Sequence, residues 1–178
     1  MPDDSFKNVA VIGAAGKMGS GIALLLLQEI ARLQAKDTGK ACGARLHLID
    51  SNDQTLDGLQ AYLRSQLVRF TEKNINDLRS YYHDRADLVE NFDIIDSFVN
   101  EALINVRLDT DIQKAKDSAL IFEAIVEDVD IKIQLLSKLK KQSNVNPYFF
   151  TNTSSIPISS LNDGAGLDNR IVGYHFYN

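Results

Sequence analysis

Gly13, Gly16 and Gly19 recur at every third position, directly after the apolar run 9–12 and directly before a long apolar segment. Strand, tight turn and helix follow in that order. Glycine lets a chain reverse and lets backbone close on a diphosphate, while the unpaired amides and positive end of a helix face such an anion. Gly13, Gly16, Lys17, Met18 and Gly19 are therefore cofactor-binding candidates for a dinucleotide. Asp50 closes the next strand-like run, Arg45-Leu-His-Leu-Ile-Asp50. A carboxylate there accepts hydrogen bonds from the adenosine ribose and repels a 2′-phosphate, which favours NAD over NADP. The interval from Gly19 to Asp50 exceeds the usual spacing of about 20 residues. A local role competes with this one, because Asp50, Ser51, Asn52 and Asp53 are all good helix caps.

Three further polar groups end later strand-like runs: Glu127, the stretch Asn152-Thr-Ser-Ser155, and His175. Ligands of parallel sheets sit beyond the carboxyl ends of the strands, and it is the convergence of these groups that points to a site. Each also has a plain alternative. Glu127, Asp128 and Asp130 could complement a helix N-terminus. Thr153, Ser154 or Ser155 could cap the turn before Pro157. His175, between Tyr174 and Phe176, could be a core histidine.

The elements that must hold these groups alternate. Ile22, the apolar run 24–27, Ile30 and Leu33 predict a helix apolar almost all round in its first half, and Asp37-Thr-Gly-Lys with Gly43 ends it. Leu56, Leu59, Leu63, Leu67 and Phe70 carry a helical period. Asn74 punctuates it, and Leu78, Tyr82, Leu88, Val89, Phe92 and Ile95 resume it. Strands follow at 104–108, 119–122, 148–152 and 171–176, with helices at 110–116 and from Ile131. The fold class expected is α/β, a Rossmann-type doubly wound, mostly parallel sheet with a helical hairpin extension after the second strand. Residues 1–178 are read as one NAD-binding domain, with 53–103 as the extension. The charges of this segment, basic through Arg64, Arg69, Lys73, Arg79 and Arg85 and acidic afterwards, read individually as a solvated face.

Composition removes several classes. Hydrophobic residues at 44% and charged residues at 24% are ordinary for a globular chain. A net charge of −5 without a basic block argues against nucleic acid and acidic membranes as partners. The one cysteine, Cys42, forms no intrachain disulfide, and no Cys/His cluster for a metal is present, so a reducing cytoplasm is expected. Residues 1–8 contain no apolar leader, and the run from Ile22 to Leu27 is too short to span a bilayer.

Four motifs in order resemble the L-3-hydroxyacyl-CoA dehydrogenases of fatty-acid β-oxidation and their 3-hydroxybutyryl-CoA relatives. They are Val11-Ile-Gly-Ala-Ala-Gly-Lys-Met-Gly-Ser-Gly-Ile-Ala23, Glu123-Ala-Ile-Val-Glu-Asp128 with Lys132, Asn152-Thr-Ser-Ser155, and His175-Phe-Tyr-Asn178. The resemblance implies NAD-dependent oxidation of L-3-hydroxyacyl-CoA to 3-ketoacyl-CoA. His175 would be the general base, a role suited to a ring with an ordinary pKa of about 6.5. Ser154 would bond the reacting oxygen beside the nicotinamide. Glu127, Lys132 and Asn178 would contact the nicotinamide half of NAD, Asp50 its ribose, and Lys73 a coenzyme A phosphate.

Three departures accompany the likeness. The glycine motif is one residue longer in its first interval than G-x-G-x-x-G, and residues 74–103 exceed the family's helical tail. The chain also stops before the proline, the glutamate paired with the histidine, and the helical C-terminal domain that carries the homodimer interface. The chain alone is expected to bind NAD weakly and turn over little. The rivals are a dehydrogenase of a free hydroxy acid or sugar acid and a non-catalytic NAD-binding module.

Overall fold

Residues 9–12 form the centre of β1 (Asn8–Ile12), which is paired on both sides and buried on both faces, as a continuous apolar run requires. The computed structural model describes residues 7–36 and 43–175. Cys42, the breaker Asp37-Thr-Gly-Lys, and Asn178 lie outside the described residues. The strands β2 (Arg45–Ile49), β3 (Val106–Asp109), β4 (Leu120–Glu123), β5 (Tyr148–Thr151) and β6 (Ile171–Gly173) join β1 in one parallel sheet of order β3-β2-β1-β4-β5-β6. This is the doubly wound sheet expected. Its order reverses between β1 and β4, which opens a crevice at their carboxyl ends.

Alternation along β1 divides two cores. Val9 and Val11 face α1 (Lys17–Lys36), whereas Ala10 and Ile12 face α5 (Val129–Gln142) and α6 (Ile158–Ala165). Leu25 and Leu33 of α1 remain exposed, so its apolar circumference is buried on one side rather than all round. The hairpin extension consists of three helices, α2 (Asp53–Lys73), α3 (Ile75–Tyr81) and α4 (Asn91–Leu103). They share one core with α1 through Leu59, Leu63, Leu67, Leu78, Ile94 and Phe98. The side chains of Gln34 and Asn105 exchange hydrogen bonds, tying α1 to the entry of β3.

Several boundaries differ from the periodic reading. Helix does not resume through Leu88 and Val89. Arg79 instead holds the Val89 carbonyl and Asn91, Arg85 pairs with Asp87 and Glu101, and the segment between α3 and α4 turns. Val89 is 65% exposed and Phe92 73%, outside the core that their spacing implied. The helix expected at 110–116 is a short 3₁₀ turn, Ile112–Ala115. The last strand ends at Gly173, so His175 follows it as loop.

Candidate functional site

Because every strand is parallel, the glycine turn, Asp50, Glu127, Ser154 and His175 all leave the sheet at one edge. The glycine turn is built by close backbone contact. The Gly13 and Ala14 amides both donate to the Ile49 carbonyl, at 2.9 and 3.1 Å, and the Gly16 amide to the Gly13 carbonyl at 3.2 Å. Gly13 has φ +77°, and a Cβ there would lie 2.7 Å from the Ala124 oxygen. At Gly19 a Cβ would lie 2.0 Å from the Gly13 oxygen. These two positions exclude side chains, and the start of α1 is thereby held against the turn. Lys17 is exposed and Met18 half-buried. A cradle this tight, opening a long helix at the switch point, fits a dinucleotide diphosphate.

Asp50 does not cap α2. Asn52 is the N-cap and accepts the Gln54 amide at 2.9 Å. The half-buried Asp50 carboxylate instead accepts the Ala15 amide of the glycine turn at 2.9 Å.

Beyond β4 and β5 lies a polar network. Glu123 is 0% exposed and Lys132 1%, and their side chains meet at 2.6 Å. The remaining valences of Glu123 are satisfied by the Ile125 amide at 2.8 Å and the Thr151 hydroxyl at 2.7 Å. The Lys132 ammonium also stands 3.7 Å from Glu127. One Glu127 oxygen receives four donors from the turn after β5: the Thr153 hydroxyl at 2.5 Å, the Ser154 and Ser155 amides at 2.9 and 3.0 Å, and the Ser155 hydroxyl at 3.0 Å. Desolvation raises the Glu127 pKa, but the Thr153 hydroxyl, the Ser155 and Ser154 amides and the Ser155 hydroxyl outweigh it and hold the carboxyl at about 2. Glu127 is thus a clasp between the β4–α5 and β5–α6 loops. The capping role falls to Asp128, which accepts the Ile131 amide at 3.0 Å.

Thr153 also accepts the Ile156 amide at 3.1 Å, so it shapes the local turn while Ser154 stands exposed. Thr151 and Gly173 are register partners, and Ser154 and His175 follow those neighbouring strand ends. His175 is exposed, which removes the core-histidine alternative. The Tyr174 amide donates to the Thr151 carbonyl at 2.8 Å, continuing the pairing up to His175. Lys132 is buried beneath the clasp, and Lys73 is exposed on the last turn of α2. Glu123 and Thr151 have no assigned role in the sequence patterns above, and Thr153 figures there only as a cap of the turn before Pro157, a place its hydroxyl takes by accepting the Ile156 amide. Glu123 and Thr151 end apolar strand runs, and a polar residue closing such a run next to a lysine nine positions on was the available signal. Among the described residues, no group of His, Cys, Asp and Glu could hold a metal, and no helix is long and apolar enough to cross a membrane.

Residues 8–178 match the family model described as 3-hydroxyacyl-CoA dehydrogenase, NAD binding domain. The mitochondrial hydroxyacyl-coenzyme A dehydrogenase of Sus scrofa is 29% identical over 173 residues, covering 97% of this chain and 46% of that protein. A fatty acid oxidation complex subunit alpha from Aliivibrio fischeri is 28% identical over 174 residues, covering 97% of this chain and 21% of that one. The (S)-3-hydroxybutyryl-CoA dehydrogenase structure from Ralstonia eutropha superimposes with a TM-score of 0.70 at 24% identity, over 98% of this chain and 50% of that one, a likeness of fold. The chain spans about half the length, or less, of the curated relatives it matches.

Proposed function

The chain belongs to the 3-hydroxyacyl-CoA dehydrogenase family through its NAD-binding domain, and from that premise we propose that it serves the NAD-dependent oxidation of L-3-hydroxyacyl-CoA to 3-ketoacyl-CoA in fatty-acid oxidation. The observation that carries the proposal is that the glycine cradle, Asp50, Ser154 and His175 all follow the carboxyl ends of parallel strands on one edge of the sheet. The chemistry supplied by a bound nicotinamide is acceptance of the hydride from substrate C3. The cradle at Gly13, Gly16, Lys17, Met18 and Gly19 holds the diphosphate, and Asp50 accepts from the ribose hydroxyls. The proton of the 3-hydroxyl goes to the imidazole of His175, and Ser154 donates to the same oxygen. Glu127 sets the height of Ser154 through its backbone amide. Lys132, though counted among the nicotinamide contacts by family likeness, acts here through Glu127 from its buried position. Asn178 is assigned to the nicotinamide side and Lys73 to a coenzyme A phosphate.

We further propose that residues 1–178 form one NAD-binding domain with 53–103 as its helical extension, that the protein works in the cytoplasm, and that the whole protein is a homodimer. A reducing compartment is supported by the single cysteine. The 178 residues alone are expected to bind NAD weakly and to turn over little or nothing.

The test is calorimetric NAD binding together with NADH-linked reduction of acetoacetyl-CoA by the natural protein and by His175→Asn. We expect NAD to bind both proteins equally and reduction to fall at least about a hundredfold in the variant, the usual scale of a lost general base. Unchanged turnover in His175→Asn overturns its assignment. Reduction of acetoacetate but not acetoacetyl-CoA selects the free hydroxy acid, and NAD binding without any turnover in the whole protein selects a non-catalytic module.

A further inference from the structure

Resting on the NAD reading above, we propose that the Ala15 backbone amide is a positioning group for cofactor choice, which fixes one oxygen of Asp50 and makes the ribose-facing acid an immobile anion. The glycine motif carries one residue more in its first interval than the usual fingerprint, and that length shows where the extra chain goes. Ala14 turns its methyl into the core, at 0% exposure, and spends its amide on the Ile49 carbonyl. The next amide, that of Ala15, therefore stands over the end of β2, and it donates to Asp50 Oδ2 at 2.9 Å. Asp50 is anchored from the other side as well, because its own amide donates to the Asp109 carbonyl at 3.3 Å. With helix capping taken over by Asn52, the carboxylate has no competing local partner in α2. Oδ2 is committed to the turn and Oδ1 is left to a ribose hydroxyl.

The consequence concerns the cofactor that is refused. A free aspartate meeting a 2′-phosphate can rotate away and admit NADP at small cost. A tethered one must first give up a charge-assisted hydrogen bond in a half-buried place, or accept two anions in contact. The longer loop thus makes the acid a stricter filter while leaving the geometry for NAD intact.

Replacing Ala15 by its α-hydroxy acid deletes the N–H and leaves the methyl side chain unchanged. Dissociation constants for NAD and NADP are then measured by calorimetry on the natural and ester proteins. The preference for NAD, read as the ratio of the two constants, is expected to fall about tenfold, the scale of one hydrogen bond to a charged group. A merely structural role would weaken both cofactors alike, and an unchanged ratio overturns the proposal. Should the ester protein not fold, hydrogen exchange decides. The Ala15 amide is expected to exchange at least about tenfold faster in Asp50→Ala than in the natural protein, and equal rates overturn the tether. Binding of neither cofactor by the natural protein would instead bring down the NAD reading itself, and with it the specificity role, whatever the exchange rate of Ala15.

Discussion

Lys132 and Glu123 carry opposite charges into the interior beneath the site, and the structure satisfies them as a unit. A buried pair of this kind adds little net stability over an apolar replacement, because desolvation offsets the attraction. Breaking it is a different matter. Lys132→Met leaves the Glu123 carboxylate without its counter-ion, and we expect a loss of about 3–5 kcal/mol in urea unfolding. Adding Glu123→Gln should restore most of it, since an amide oxygen still accepts the Ile125 N–H and the Thr151 hydroxyl can reverse to accept the new N–H. If the double variant were as unstable as the single one, the pair would not be the unit described. The glycine turn and the strand-ending acid proposed to face the cofactor were legible in the sequence, since their spacing and position at strand ends mark them out. Their supports were not. Thr153 and Glu123 are bonded to partners 26 and 28 positions away, and apart from the spacing of Glu123 and Lys132 no local pattern encodes these contacts.

Contact between backbones decides what the first β–turn–α unit tolerates. A methyl at Gly19 has no room, because the nearest atom is the backbone oxygen of Gly13 and not a flexible side chain. We expect Gly19→Ala to lose about 3 kcal/mol, the upper range for forced overpacking, together with NAD binding. Gly58 in α2 is the control. Nothing lies within 4 Å of its Cβ position, so Gly58→Ala should gain about 0.5–1 kcal/mol from helix propensity alone. Equal effects at both sites in urea unfolding would contradict the steric account. The same contrast explains which elements could be read. The apolar strands and α1 announce themselves, whereas α6 contains Ser, Asn, Asp and Gly and has Pro157 as its N-cap, with no side-chain cap hydrogen bond. It is a helix because Leu161 and Ala165 are buried and Gly166, at φ 63°, closes its end. Tertiary packing overrides propensity there, as the Arg79 and Arg85 contacts override periodicity between α3 and α4.

At the scale of the whole molecule, two separate cores hold the sheet from either face, and the site-edge loops rest on both, through Ala14 and Ala124 on one side and Ile125 and Ile156 on the other. The β4–α5 and β5–α6 loops are joined by Glu127, whose side chain is 37% exposed. Its carboxyl is held at about 2, below the ordinary 4.5, so it is ionised more readily in the folded protein than in the unfolded chain. The stabilisation from this clasp is therefore fully present above about pH 4.5 and is lost as the pH falls toward about 2. Solvent screening of so exposed a group keeps its energy small next to the cores. Acid should consequently open the clasp before it unfolds the protein. Hydrogen exchange tests this: protection of the Ser154 and Ser155 amides, corrected for intrinsic rates, should decline across that window while Ile121 and Phe149 in the sheet stay protected. In Glu127→Gln the decline should disappear, because an amide does not titrate in this range. Loss of all four protections at one pH, in both proteins, would mean that the site edge and the cores open as a single cooperative unit and that Glu127 does not control the position of Ser154.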